Sequence, residues 1–121
     1  MSAFRVLAII GRTCTATIAI ELPLAALLFG ARTRRQIAVV TLAQVMTNPV
    51  VELCCLLVGW SLAAPFPGVA WATAIAVEVA AVVVEAWAYR ETDVFERPLL
   101  ASIVLNAASF GIGCVMGLIL G

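Results

Sequence analysis

Four long apolar segments, separated by short polar or turn-forming stretches, make up nearly all of the 121-residue chain. A bilayer core of roughly 30 Å takes about 20 helical residues, and each segment reaches that length. We predict transmembrane helices over residues 7–29, 36–61, 69–89 and 98–120. Lipid offers no partners for backbone N–H and C=O groups, and the segments lack the alternating polarity of membrane β-strands. The pattern therefore predicts an all-α, polytopic membrane protein with one domain, residues 1–121, and its four helices in a compact bundle.

The composition supports this prediction and excludes several classes of function. The chain is 64% hydrophobic and 12% charged, with a mean hydropathy of +1.16, which is too apolar for the exterior of a soluble domain. It has no histidine, which removes catalytic triads, histidine zinc sites and histidine-ligated haem. It has neither a glycine-rich phosphate loop after a strand nor a basic surface, so we expect no nucleic acid partner. Any chemistry must take place within the membrane or at its edge.

The arginines predict the orientation of the chain. The first and third connections are rich in arginine, the second has no charged residue, and two arginines lie in or before the first segment. The arginines in these regions are Arg32, Arg34 and Arg35, then Arg90 and Arg97, and finally Arg5 and Arg12. Because cytoplasmic loops carry more Lys and Arg, we expect the first and third connections in the cytoplasm and both termini outside. Arg12 interrupts the first apolar run and no small-residue cleavage site follows, so we expect residue 1 to begin the mature chain.

Aromatic residues agree with these boundaries. Trp60 and Trp71 fall at the outer ends of the second and third segments, and Trp87 and Tyr89 fall at the inner end of the third. Amphipathic rings prefer the two membrane interfaces. We therefore expect these rings to lie at the headgroup level.

Polar residues inside the apolar segments are the candidate functional groups. Each segment carries a polar stripe at helical spacing, and the stripes place hydrogen-bonding groups about 12 to 18 Å from the cytoplasmic end. An intramembrane carboxylate costs roughly 2.5 to 3.5 kcal/mol on insertion scales, so such residues usually have a function. The predicted ion-binding residues are Glu21, Asn48, Glu52, Glu78, Glu85, Asn106 and Ser109. By depth, Glu52 lies higher than the others and Glu85 lies near the cytoplasmic edge.

Prolines, glycines and cysteines add weaker signals. Pro23 and Pro49 lie inside predicted helices, where each frees a backbone carbonyl; we interpret them as kinks beside the carboxylates, although membrane helices also tolerate proline without a functional role. Gly113 and Gly117 begin a small-residue row that favours close helix packing, within one chain or between chains. The cysteines favour a role as small apolar residues over soft-metal binding or redox exchange; they are Cys14, Cys54, Cys55 and Cys114.

The segments ELPLA, TNPVVE, EAWAY and NAASFGIG together resemble a pattern of small, uncharacterised four-helix bacterial integral membrane proteins. The resemblance covers most of the chain, although each motif is short. It implies a multi-pass protein of the bacterial cytoplasmic (inner) membrane and no established activity. It carries no site residue over to this sequence.

Three functions follow from these patterns. The first is transport or conduction of a proton or a metal cation by a homo-oligomer. In this hypothesis the bound species is a proton or a divalent cation. Glu21 and Glu78 carry the ion and are the metal ligands. Glu52 and Glu85 mark the ends of the pathway. The design is similar to that of the small multidrug resistance transporters, but their motifs are not evident and the first segment has no Trp or Tyr, which disfavours drug export. The second is a structural or assembly subunit of a larger membrane complex. The third, least favoured, is an intramembrane enzyme with paired glutamates as general acid and base.

Overall fold

A computed structural model of the chain describes residues 2–62 and 67–120, with the side chains at 58–62, 67, 70, 117, 118 and 120 outside that description. The described residues form four α-helices: α1 (Ala3–Phe29), α2 (Arg34–Leu62), α3 (Pro67–Thr92) and α4 (Pro98–Leu120). Each helix is long and apolar enough to cross a membrane. The predicted all-α architecture is therefore confirmed, with four helices that are long and apolar enough to span a membrane.

The helices extend past the apolar segments at several ends. The first starts four residues before the predicted span, at Ala3, where the Ser2 hydroxyl accepts a hydrogen bond from the backbone N–H of Arg5 at 3.3 Å. The third continues through Arg90 to Thr92 instead of ending at residue 89. A helix is held by its own backbone hydrogen bonds and does not stop where the hydrocarbon stops. Apolar length therefore underestimates helix length.

The helices pack in a ring of neighbours. Among the described residues, α2 contacts α1 and α3, and α4 contacts α3 and α1, so each helix packs against two others. Sequential helices joined by short loops run antiparallel. This arrangement leaves one face of each helix toward a shared interior and one face outward. The outward faces carry large apolar side chains such as Leu27, Met46, Val83 and Ile119, which suits contact with lipid.

Two short loops, residues 30–33 and 93–97, lie together at one end of the helices, which we call the loop end. Gly30 adopts a left-handed conformation (φ 69°) after α1, and the N–H of Ala31 bonds to the carbonyl oxygen of Ala25 at 3.1 Å. Only glycine enters this region without steric cost, and it is the usual residue at the end of a helix. The local sequence therefore explains where α1 stops.

Thr33 and Gln36 start α2 with reciprocal hydrogen bonds. The Thr33 hydroxyl oxygen accepts from the Gln36 N–H at 3.1 Å, and Gln36 Oε1 accepts from the Thr33 N–H at 3.2 Å. This is a capping box, which satisfies backbone donors that a helix start leaves free. Gln36 Nε2 also donates to the carbonyl oxygen of Val94 at 2.9 Å, and the Arg35 guanidinium donates to that of Thr92. These bonds tie the two loops to each other.

We expect Gln36→Leu to lower the free energy of unfolding by about 1 to 2 kcal/mol, because it removes one of the two bonds between the loops and the acceptor of the capping box. Unfolding in mixed micelles would measure the loss. Gln36→Glu keeps the acceptor and loses only the donor to Val94, so it should cost less. Equal losses in the two variants would contradict this division of roles.

A buried apolar cluster closes the loop end. Its centre is Phe95, which lies edge-on to Tyr89 at 4.9 Å and to Phe29 at 5.8 Å between ring centroids. Buried aliphatic residues from α1, α2 and α4 surround these rings, among them Ala25, Val40, Ala101 and Leu105. Tyr89 is fully buried, whereas Trp87 and Trp71 are largely exposed. The sequence placed Tyr89 in the interfacial belt; the third loop instead folds Phe95 back over it. Trp60 lies outside the described side chains.

Candidate functional site

Glu85 is the centre of a buried polar network. It is fully buried on α3, and each of its carboxylate oxygens accepts from a side-chain amide of another helix. Gln44 Nε2 of α2 donates to Oε1 at 2.6 Å, and Asn106 Nδ2 of α4 donates to Oε2. The Thr47 hydroxyl lies 2.9 Å from Oε1 and also 2.9 Å from the carbonyl oxygen of Ala43. Glu85 therefore joins α2, α3 and α4 through neutral donors.

Asn106 is itself held in place by its own helix. Its amide also donates to the backbone carbonyl oxygen of Ser102 at 2.8 Å, and the Ser102 hydroxyl donates to the carbonyl oxygen of Val82 on α3 at 2.7 Å. Ser102 and Asn106 are both buried and lie one helical turn apart. The amide that faces Glu85 therefore has a fixed orientation.

Glu21 is the second fully buried carboxylate, and its surroundings differ. The Ser109 hydroxyl lies 3.1 Å from Glu21 Oε1 and 3.2 Å from the backbone carbonyl oxygen of Asn106. A hydroxyl has one proton, so these two acceptors compete for it. No protein group in the described part of the chain bonds to Glu21 Oε2. Glu21 is thus much less well satisfied than Glu85.

The two carboxylates belong to one network. Glu21 on α1 contacts Ser109, Ser109 contacts Asn106, and Asn106 contacts Glu85. Glu21 lies about 12 Å from the loop end of its helix and Glu85 about 10 Å from that of α3, counted at 1.5 Å per residue. The network therefore crosses the interior at one level and includes a residue from every helix.

A polar cavity of about 280 Å³ lies between the four helices on the far side of this network from the loop end. Two half-buried carboxylates, Glu52 and Glu78, lie in its wall. The other polar side chains in the wall are Thr13, Thr17, Gln44, Thr47, Asn48, Asn106 and Ser109. None of the lining residues is basic. The interior therefore has two connected parts, a buried carboxylate pair and a cavity with two further carboxylates.

The predicted site residues divide between these two parts. The structure brings Glu21, Glu85, Asn106 and Ser109 into the buried network, and it places Asn48, Glu52 and Glu78 in the cavity wall. The depth count put Glu85 near the cytoplasmic edge, yet its side chain is fully buried. The difference arises because α3 is longer than its apolar segment. The aromatic cluster at the loop end also lies between Glu85 and that end of the helix. The roles assigned to these residues remain predictions.

Three partners of the network were not among the predicted site residues: Gln44, Thr47 and Ser102. Gln44 belongs to the same stripe as Asn48 and Glu52, four residues apart, so the spacing could have included it. Thr47 lies beside that stripe and gives no comparable signal. Its contact with Glu85 depends on how α2 is rotated against α3, which the sequence does not show.

The other predictions have mixed outcomes. Helices α1 and α2 continue through Pro23 and Pro49; a kink at either one remains a prediction. A Cβ added at Gly113 would meet nothing within 4 Å, and Gly113 lines the cavity, so it makes no close contact with another helix among the described residues. Packing between chains remains a prediction, and Gly117 lies outside the described side chains. Cys55 and Cys114 line the cavity, and Cys14 Sγ lies 3.9 Å from the carbonyl oxygen of Gln44.

An apolar groove of about 460 Å³ runs along the outer surface between α3 and α4. Its walls are aliphatic, formed by residues such as Ile75, Val79, Val82 and Ile103. It shares Glu78, Asn106 and Phe110 with the interior cavity. The cavity wall is therefore thin on this side.

A cluster of metal ligands or a known relative would identify a site directly. Within residues 2–62 and 67–120, no group of three or more His, Cys, Asp or Glu side chains lies close enough to hold a metal ion. Comparisons of the chain with protein-family models, with characterised proteins and with solved structures find no match. The geometry of the site is therefore the basis for a functional proposal.

Proposed function

We propose that the protein binds a proton or a small cation at Glu21 and Glu85 and moves it across the bacterial cytoplasmic membrane. The observation that carries the proposal is the buried carboxylate of Glu21, whose Oε2 has no protein partner in the described part of the chain. Burying a carboxylate without compensation costs far more than the fold of a small protein can supply. A bound proton or cation provides that compensation.

A proton or a small cation would compensate the buried charge of Glu21. If Glu21 is protonated, its O–H can donate to Ser109 Oγ, and the Ser109 hydroxyl can then donate to the carbonyl oxygen of Asn106. If Glu21 is ionised, Oε1 can accept the Ser109 proton, because the carbonyl oxygen of Asn106 lies inside α4 and also accepts a helical N–H, but Oε2 still has no donor. A small cation beside Oε2 would neutralise the carboxylate in that state. The exchangeable species therefore belongs at Glu21.

Glu85 has a different part in this proposal. Its two amide donors hold the carboxylate still and keep it facing the interior. It lies on the same network as Glu21, and the cavity with Glu52 and Glu78 begins next to Gln44 and Asn106. A proton or cation that leaves Glu21 thus has other oxygen ligands nearby. Four helices leave little room for a complete pathway, so we propose a homo-oligomer as the working form.

Ion flux into proteoliposomes tests this function. We expect the wild-type protein to carry protons, or one of the common mono- or divalent cations, down an imposed gradient, as read by a pH-sensitive dye or ion-selective dyes in the lumen. Glu21→Gln is a neutral isostere that cannot release a proton or bind a cation by charge, so flux should fall at least 100-fold, to the level of empty liposomes.

Glu96→Gln is the matched control. Glu96 is exposed in the loop between α3 and α4, so the same chemical change there should leave flux within about twofold. Equal far-ultraviolet circular dichroism and elution volume would show that both variants are folded. Wild-type protein that carries no tested ion, or full flux in Glu21→Gln, would overturn the proposal.

Assembly into a larger membrane complex is the second candidate. The observation that favours it is the pair of amide donors on Glu85, because a carboxylate held by two other helices fixes their register. Gentle extraction of the protein from its own membrane, followed by native mass spectrometry, separates the two candidates. A stoichiometric complex with another protein supports assembly, and a homo-oligomer supports transport.

A further inference from the structure

We propose that the interior cavity is a hydrated vestibule that selects cations and opens at the ends of the helices opposite the loop end, which we call the far end. This inference deepens the proposed function, because it names the side of access and the charge class of the ligand. It rests on the shape and lining of the cavity, on the closure of the loop end and on the position of Glu21 behind the wall.

The lining has the composition of a water-filled cation site. Two carboxylates, Glu52 of α2 and Glu78 of α3, lie in the lining together with hydroxyl and amide side chains, and none of the lining residues is basic. Clefts lined by one sign of charge between low-dielectric walls concentrate counter-ions by roughly 10- to 1,000-fold. A volume of about 280 Å³ exceeds the roughly 30 Å³ that one water takes in the liquid. Hydrated small cations therefore fit the cavity in size and in charge.

The cavity extends toward the far end only. Counted along the helices, its lining starts about 12 Å from the loop end, at Asn106, and reaches about 24 to 32 Å, at Thr13, Cys114 and Cys55. On the other side lie the buried network and then the aromatic cluster around Phe95. A second cavity of about 480 Å³ lies at the loop end, lined by residues such as Phe29, Gln36 and Phe95, and it shares no lining residue with the interior cavity. Fully buried side chains such as Tyr89 and Leu105 lie at this end of the helices, so we place access to the interior cavity at the far end.

The wall between the cavity and Glu21 is one residue thick. Ser109 lines the cavity, and its hydroxyl contacts Glu21 Oε1 on the other side. Glu21 Oε2 is one of two buried side-chain polar atoms, with the Tyr89 hydroxyl, that lack a protein partner in the described part of the chain. The Ser109 side chain therefore separates a cation or proton in the vestibule from the carboxylate of Glu21.

The groove between α3 and α4 is the competing route. It shares Glu78, Asn106 and Phe110 with the cavity wall, but apart from Glu78 and Asn106 its lining is apolar, and most of it is exposed on the outer surface. An ion that entered from lipid through this groove would lose its hydration at high cost. The polar cavity is thus the favoured route for a hydrated cation.

The native cysteines provide a test with a matched control. Cys54 and Cys55 are neighbours on α2 and are both half-buried, but only Cys55 lines this cavity. Two single-cysteine proteins would be compared, one retaining Cys55 and one retaining Cys54, with the other cysteines changed to alanine. Each would be reacted with membrane-impermeant methanethiosulfonates that carry either a trimethylammonium or a sulfonate group. The rate ratio of the two reagents cancels any change in the reactivity of the thiol itself.

The measured quantity is the rate with the cationic reagent divided by the rate with the anionic one. We expect this ratio to be at least 10-fold higher for Cys55 than for a small free thiol. Cys54 should react at least 10-fold more slowly with both. In a Glu52→Gln/Glu78→Gln background the preference at Cys55 should fall to that of the free thiol. In sealed vesicles, reaction should occur only from the side where a protease removes an N-terminal tag.

Three results would overturn the vestibule: no reaction at Cys55, equal rates at Cys54 and Cys55, or a preference that persists without Glu52 and Glu78. Reaction from the opposite side would overturn the stated direction of access. Because labelling needs no flux, its outcome is independent of the transport assay. A cation-selecting Cys55 in a protein without flux would leave the vestibule in place and remove transport.

Discussion

Replacing Phe95 by alanine is expected to lower the free energy of unfolding by about 3 to 5 kcal/mol, the usual cost of truncating a buried phenylalanine. Phe95 is 6% exposed and makes edge-on contacts with Phe29 and Tyr89. Aromatic pairs of this kind contribute about 0.5 to 1.5 kcal/mol beyond the area they bury. Phe95 lies in the loop between α3 and α4, outside the membrane-spanning helices. Water is therefore its reference solvent, and the full hydrophobic effect applies.

Phe4→Ala is the matched control for this measurement. Phe4 is 80% exposed on α1, so the same truncation leaves no cavity and should change stability by less than about 0.5 kcal/mol. Both variants would be unfolded reversibly in mixed micelles. Similar losses in the two proteins would show that the Phe95 cluster is not a packed core. A loss limited to Phe95→Ala would confirm that the loop end is held shut by aromatic packing.

Asn106→Leu is expected to lower the free energy of unfolding by about 1 to 3 kcal/mol, because Glu85 Oε2 then loses its amide donor while it remains buried. An interhelical hydrogen bond in a membrane protein contributes only about 0.6 kcal/mol on average. The larger figure applies here because the partner left behind is a carboxylate, whose burial without donors costs more than that of a neutral group. Leucine shares the γ-branched shape of asparagine but is larger, so part of the loss reflects crowding at this buried position, and the double variant below isolates the missing donor.

Asn48→Leu is the control for the same chemical change. Asn48 is half-buried in the cavity wall, and no side-chain hydrogen bond from it is found among the described residues. We expect a change of less than about 0.5 kcal/mol there. In the double variant Glu85→Leu/Asn106→Leu, the total loss should be at least about 0.5 to 1 kcal/mol smaller than the sum of the single losses. Additive losses would show that Glu85 and Asn106 do not interact.

These predictions separate two kinds of stability in one small protein. The loop end depends on aromatic packing around Phe95, and the middle of the helices depends on donors to a buried carboxylate. Glu21, whose Oε2 has no protein partner in the described part of the chain, contributes to neither kind of stability. A group that costs stability and is nevertheless placed in the interior is typical of a functional position.

The sequence by itself determined that the chain forms helices and that their surroundings are lipid. Twenty-residue apolar runs must be helical in lipid, and their number and approximate limits can be read from hydropathy alone. It also pointed to the glutamates, because a carboxylate in such a run is costly whatever surrounds it. Stripes at helical spacing correctly brought Glu21, Asn106 and Ser109 to the interior, since spacing along a helix fixes which residues share a face.

Only the tertiary structure decided how the carboxylates differ. Glu21, Glu52, Glu78 and Glu85 are chemically equal in the sequence, yet Glu85 has two amide donors, Glu21 shares one hydroxyl proton, and Glu52 and Glu78 line a cavity. These differences depend on how each helix is rotated and shifted against its neighbours. Those rotations are set by side-chain packing between residues far apart in the sequence, such as Phe95 on Phe29 or Thr47 beside Glu85. Periodicity along one helix contains no information about the distance to another.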